Sequence, residues 1–461
     1  MMNFRGQLTR YSEGSVQELW AISYPLILSI LSVNMMLFFD RLILARYNTG
    51  AMNAAVLAWL IFSIFQLGTI GIASIAEVFV GQYNGAKKLN KMGEPVWQMI
   101  WFSLMTGFIF IPLGLFAGPL FISNPDYVAE GIPFFKILML FGPTFPITAA
   151  VSSFFIGRGR VKLVMFTTVL SNVLNIALDF LLIFGVDGVV SALGAKGAAI
   201  ATGVAQTVQV VVLLAVFLRG RHRETHGTHR WKFKPKLFSS ILRIGIPNAL
   251  ANVMDAIAWS VLIQILAFVS VNHVTAFTIG DSFSVLFVVG FLGLQKGITT
   301  VAANYIGANR EEVLSRTLRS SIKIILIIML FLIIPFFFFS EKLVDLFFNV
   351  NSPLTLNETL KNQVAIALRW LWVYFMFDAV SWMISGILIA AGDTKFVMWI
   401  NSVNAWVFSV IPTVICVIYF GASPIMTWIL WATYGFLNAV FFFVRYKNKC
   451  WNAAQSLHAL S

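Results

Sequence analysis

The sequence predicts an all-α polytopic membrane protein: twelve transmembrane helices in two pseudo-symmetric six-helix bundles. Three observations carry this. First, the 461 residues are 59% hydrophobic and only 11% charged, with a mean hydropathy of +0.85. A soluble domain carries about 25% charged residues, and a chain this poor in charge cannot cover its own surface. Second, long apolar runs recur from Leu19 to Tyr446, each near the ~20 residues that cross a bilayer. In lipid every backbone polar group must be paired internally, so such runs are helices. A membrane barrel needs short alternating segments, which this chain lacks. Third, the two halves of the chain match at a constant offset.

In chain order the predicted spans are 17–45, 52–81, 96–122, 132–157, 161–186, 190–218, 237–269, 275–306, 317–339, 362–391, 395–420 and 424–446. The first run begins near Leu19 and leads straight into further spans, so it reads as a helix rather than a cleavable signal. An even count puts both termini on one side. Lys and Arg alternate between loops. One set carries Arg5, Arg10, Lys87, Lys88, Lys91, Arg158, Arg160, Lys162, Arg219 to Lys236, Arg310, Arg316, Arg319, Arg445, Lys447 and Lys449. The other carries only Arg46, Lys196, Lys342 and Lys361. The positive-inside rule makes the first set cytoplasmic, with both termini inside, as expected for an inner-membrane protein.

The segment Arg219–Lys236 is the longest polar break. It divides a first lobe (1–218) from a second (237–446), with a cytoplasmic linker (219–236) and tail (447–461). Its Arg/Lys density and Trp231 suit anionic headgroups, and His222, His226 and His229 read as solvated loop residues. The lobes repeat. Pro25 matches Pro247, an offset of 247 − 25 = 222. The same offset relates Gly68 to Gly290, Gly71 to Gly293, and Gly85-Ala86 to Gly307-Ala308. Later, Lys162 matches Lys395, an offset of 395 − 162 = 233. The extra residues fit the longer loop around Asn351–Lys361. Six helices per half give parallel repeats about an axis along the membrane normal, a plan suited to rocking around a central cavity.

An acid at a helix centre costs ~2.5–3.5 kcal/mol on insertion scales, which makes it a functional candidate. Four stand out: Asp40, Asp179, Asp255 and Asp378. Asp255 and Asp378 lie mid-span. Arg369 is a conceivable ion partner for Asp378. Asp179 shares a helical face with Asn175, four residues before it, and with Asn172. Such an oxygen-rich stripe can hold a proton or ligate a hard cation such as Na⁺. Thr202 can add a hydroxyl, although a helical Thr usually bonds its own backbone. Asp40 lies near the outer end of its span. Glu77 and Asp281 lie nearer span ends.

The remaining features exclude function classes. Net charge is +13, but it follows the loops rather than an aromatic-interleaved patch, which argues against nucleic acid. Cys416 and Cys450 read as unpaired thiols. No Walker loop, zinc spacing or nucleophile elbow occurs, so neither an enzyme nor ATP-driven transport by this chain is expected. No cofactor is expected. Phe336–Phe339 reads as lipid-facing, and Trp20, Trp370, Trp372 and Trp428 as interface markers, although cavity aromatics also bind organic cations.

Several motifs together resemble the multidrug and toxic compound extrusion (MATE) family over about residues 15–450. They are Pro25 with Asp40, Gly81-Gln82-Tyr83-Asn84-Gly85-Ala86, Asn175-Ile-Ala-Leu-Asp179 and Gly197-Ala-Ala-Ile-Ala-Thr202. In the second half they are Gly245-Ile-Pro247 followed by Asp255, then Gly307-Ala308, and Asp378 before Gly392. The resemblance implies two six-helix lobes around a cavity, acting as a monomer, and export of small, mostly cationic lipophilic compounds against H⁺ or Na⁺. In DinF-like members the coupling site lies in the first lobe, at positions matching Asp40, Asn175, Asp179 and Thr202. In NorM-like members it lies at positions matching Asp255 and Asp378. There the helix-7 position is usually Glu, one methylene longer. This chain carries both sets. A flippase for lipid-linked sugars on a related fold is the alternative. It calls for intramembrane Arg or Lys, whereas the acids counted here favour cationic cargo.

Overall fold

The structure is a computed structural model and describes residues 8–186, 188, 191–347 and 358–450. Arg5, the loop residues 351–357, the predicted start of the sixth span at 190 and the tail beyond 450 lie outside the described residues. Twelve helices are long and apolar enough to cross a membrane: α1 Val16–Tyr47, α2 Thr49–Gly85, α3 Leu89–Phe116, α4 Pro125–Gly157, α5 Val161–Phe184, α6 Gly194–Phe217, α7 Pro235–Val269, α8 Val271–Gly307, α9 Glu312–Phe338, α10 Glu358–Ala391, α11 Thr394–Tyr419 and α12 Ile425–Lys447. No strand occurs among the described residues. The predicted twelve-helix fold is therefore observed.

Several helices start earlier than the apolar runs suggest. An apolar run measures the hydrocarbon core, whereas a helix starts where its first N–H groups find a cap. Asn124 caps α4 by accepting from the Asp126 N–H at 3.0 Å, and Pro125 occupies the first turn, where its missing N–H costs nothing. At α1, Ser15 accepts from the Glu18 N–H at 3.2 Å, and the Glu18 carboxylate accepts from the Gly14 N–H at 2.6 Å.

The repeat is visible as reciprocal contacts. Asn48 caps α2 through the Ala51 N–H at 3.1 Å. Its counterpart at 48 + 222, Ser270, caps α8 through the His273 N–H at 3.3 Å. A Cβ on Gly85 would lie 1.8 Å from the Asn304 carbonyl, and one on Gly307 would lie 2.0 Å from the Gln82 carbonyl. Since 85 + 222 = 307 and 82 + 222 = 304, these are one contact seen twice across a pseudo-two-fold axis. Gly71 against Ala249 and Gly293 against Ile27 obey the same arithmetic. Gln82 Nε2 donates to the Ala390 carbonyl at 2.8 Å, and Asn304 Nδ2 donates to the Gly157 carbonyl at 2.8 Å, where 157 + 233 = 390. Only glycine lets two backbones cross this closely.

These crossings join the halves at the end that bears Lys87, Arg158 and Asn309. Asn84 Nδ2 also donates to Asn304 Oδ1 at 2.6 Å, and Tyr305 Oη donates to Glu18 at 2.9 Å. The 219–236 segment is not all loop: Gly220–His226 is a short helix. It returns to the first half, where Trp97 Nε1 donates to the Thr228 carbonyl at 2.7 Å and Lys234 pairs with Glu94 at 2.7 Å.

Candidate functional site

In the first half, α1, α5 and α6 pack side by side and bring Asp40, Asn175, Asp179 and Thr202 together. Asp179 and Asn175 are fully buried, and Thr202 nearly so. The Asp40 and Asp179 carboxyls face each other within hydrogen-bonding reach. Neither Asp179 oxygen has a donor. Two carboxylates cannot satisfy one another without a shared proton or a cation between them. The Asn175 amide satisfies both of its ends in one orientation. In that orientation its nitrogen donates to Asp40 Oδ1 at 2.9 Å and its oxygen accepts from the Thr202 N–H at 3.2 Å; in the other its nitrogen donates to Thr202 Oγ1 at 3.3 Å. The Thr202 hydroxyl bonds the Ala198 carbonyl at 3.0 Å, the backbone role ordinary for a helical Thr. Asn172, on the same stripe, donates instead to Ser32 at 2.8 Å.

In the second half, Asp255 on α7 and Asp378 on α10 line one cavity of about 160 Å³ with Trp259, Tyr374, Trp382, Trp431 and Tyr434. Asp378 accepts from Tyr374 Oη at 3.1 Å and from Trp382 Nε1 at 2.9 Å. Asp255 Oδ1 is buried without a partner. Arg369 does not pair with Asp378; it reaches Ser340 at 3.4 Å. Asp281 lies beside Trp259 rather than in the Asp255–Asp378 cavity.

The two carboxylate sets stand at opposite ends of a chain of cavities. Asp40 lines a void of about 30 Å³. It shares Leu37, Trp59 and Thr202 with a cavity of about 470 Å³ in the first half. That cavity shares Leu67, Ile70, Ser74, Glu77 and Lys296 with one of about 390 Å³ bordered by both halves. The latter in turn meets the Asp255–Asp378 cavity at Asn252, Asp255 and Gln295.

Sequence reasoning missed Lys296. It lies inside α8, where it lines the cavities of about 470 and 390 Å³ and is the one basic residue that either of them has. The signal was present as an intramembrane Lys in the eighth span. Glu77, set aside for its place near a span end, is buried opposite it. Other expectations change as well. Trp428 is fully buried and stacks on Phe277 at 5.0 Å, so it is core rather than interface. Phe336 is buried against Phe287, while Phe338 does face outward. His226 is buried and packs with His222 on Phe154. Among the described residues no group of three His, Cys, Asp or Glu side chains is placed to hold a metal.

Comparison with known proteins places the chain. It is 26% identical over 396 residues to a probable multidrug resistance protein NorM of Thermotoga maritima, covering 85% of this chain and 83% of that one. It is 27% identical to a probable multidrug resistance protein YoeA of Bacillus subtilis, covering 73% of each. Among solved structures, an outward-facing multidrug resistance MATE transporter matches with a TM-score of 0.84 at 19% identity, covering 97% of this chain and 98% of that one. A transporter of the MOP superfamily from Pyrococcus furiosus matches at 0.82 and 20% identity, with the same coverage. The MatE family model matches residues 25–181 and 244–415, and the chain therefore belongs to the MatE family of secondary membrane transporters.

Proposed function

We propose that this protein is a multidrug exporter of the inner membrane that expels lipophilic, cationic organic compounds in exchange for H⁺. It acts as a monomer, and the lobes 1–218 and 237–446 rock about the glycine crossings while the 219–236 segment tethers them. As a secondary transporter it is not an enzyme and uses no cofactor beyond its coupling ion. The observation that carries the reading is the Asp40–Asp179 pair: two facing carboxyls without a donor between them, beside a route of cavities to a second carboxylate pair. Asp179 stores the proton, and Asp40, which borders the void, passes it. The same pair supports H⁺, because one shared proton satisfies both carboxyls, and in the orientation that satisfies both ends of its amide Asn175 donates to Asp40 without a cation between them. Asp255 and Asp378, boxed by Trp and Tyr rings, suit the positive end of the cargo through charge and cation–π attraction.

Both termini are read as cytoplasmic, so the closed glycine end faces inward and the cavities serve the outward-facing state. Alternating access follows if H⁺ binds that state better than the inward-facing one; equal affinity for both would shift nothing. A flippase for a lipid-linked diphosphate gains some support from Lys296, but a single ammonium opposite a glutamate suits a diphosphate poorly.

The test is efflux of ethidium from proteoliposomes with ΔpH and ΔNa⁺ imposed separately. Efflux driven by ΔpH alone is expected. Efflux that needs ΔNa⁺ would overturn the assignment of the ion, and no efflux under either gradient would overturn the exporter.

A further inference from the structure

Glu77 and Lys296 stand where the two large cavities meet, one from each lobe. Lys296 is the charge that acts on the Glu77 carboxyl, yet the two do not close into an ion pair. Neither side chain has another ionic or hydrogen-bonded partner among the described residues. A charge inside the membrane costs several kcal/mol, and a purely structural pair recovers that by direct contact. Here the contact is open, and both side chains line the same two cavities. We infer that Glu77 and Lys296 form a subsite for zwitterionic solutes, with Lys296 taking a carboxylate of the cargo and Glu77 its neighbouring positive group.

The surroundings narrow the ligand class. Asp255 lines the same cavity as Lys296, so an isolated anion would face two carboxylates and one ammonium. A solute that carries both signs satisfies both walls at once. Leu67 and Ile70, which also line both cavities, supply apolar walls for a flat organic body. The inference rests on the exporter reading for its transport meaning, but the binding site can be tested without it.

Rhodamine B carries a free carboxylate beside its xanthylium cation, and its ethyl ester carries the cation alone. Both are titrated into the purified full-length protein by fluorescence polarisation, and efflux of each is followed in proteoliposomes. Wild type is expected to bind rhodamine B at least as tightly as the ester. Lys296→Gln is expected to weaken rhodamine B by about tenfold while leaving the ester within about twofold, and Lys296→Arg to keep the wild-type order. Equal shifts for both dyes in Lys296→Gln, or no shift, overturn the subsite. So does a wild type that binds rhodamine B about tenfold more weakly than the ester, a result that needs no variant. Discrimination in binding with no efflux of either dye would leave the subsite standing and sink the exporter reading instead.

Discussion

In the first lobe Asp40 on α1 faces Asp179 on α5, whereas in the second Asp255 on α7 shares a ring-lined cavity with Asp378 on α10. The repeat relates neither pair to the other. At the offset of 222, Asp40 falls on Leu262 and Asp255 on Val33, seven residues or about two helical turns from Asp40. At 233, Asp179 falls on Pro412 and Asp378 on Phe145. Among the residues that do obey the offsets, Gly85 with Gly307, Gln82 with Asn304, and Asn48 with Ser270 make backbone crossings, their hydrogen bonds or helix caps. Symmetry is thus kept where the two halves cross backbone to backbone, and broken at the buried carboxylates, as the proposed division between ion and cargo requires.

The largest expected effect tests that division of labour. Asp179→Asn removes the proposed proton store, so ΔpH-driven efflux should fall by about 100-fold, about 2.7 kcal/mol. Asp378→Asn should instead weaken binding of a cationic dye by about tenfold and leave the response to ΔpH in place. Paired transport and binding measurements on both variants check this. Coupling lost in Asp378→Asn and retained in Asp179→Asn would exchange the roles of the lobes.

An intermediate effect concerns the crossings. Gly85→Ala and Gly307→Ala each force a methyl against a backbone carbonyl, which should cost about 1–3 kcal/mol, typical of overpacking. Gly68→Ala and Gly290→Ala share the same offset but meet nothing within 4 Å. They should be neutral or gain ~0.5–1 kcal/mol from the lost backbone freedom. Thermal unfolding in detergent separates the two pairs, and equal melting shifts would remove the pivot.

What the sequence made legible follows from the physics of lipid. A bilayer demands apolar length and paired backbones, so twelve spans could be counted, and the offset glycines told of two halves. The cost of buried charge likewise singled out Asp179 and Asp378. Their partners were another matter. That Asp40 meets Asp179 depends on how α1 lies against α5, more than 100 residues apart in the chain, and no periodicity encodes it. Lys296 is legible as a basic residue inside a span, but neither the loop charges nor the cost of a buried acid singles it out. Trp428 has the composition of an interface residue, and only packing on Phe277 makes it core.

The smallest expected effect concerns a second asymmetry: the linker docks its histidines on the first lobe. His222 and His226 meet Phe154 edge to face, with ring centroids 5.5 and 5.7 Å away, and Arg158 lies over the same ring at 4.7 Å. Burial, then the Arg158 charge, lowers His222 to about 4 and His226 to about 3. Released from the lobe, both would titrate near the ordinary ~6.5. Between about 6.5 and 4 the released linker therefore binds protons that the docked one refuses, so docking is strongest above ~6.5 and weakens as pH falls. Hydrogen exchange of the 220–230 amides, corrected for its intrinsic pH dependence, should rise from pH 7.5 to pH 5. His222→Phe with His226→Phe should flatten that rise, since two apolar rings keep the contact with Phe154 and remove both titrating groups. A rise that persists in the double variant would place the pH response elsewhere, with Glu94 and its Lys234 partner the next groups to replace.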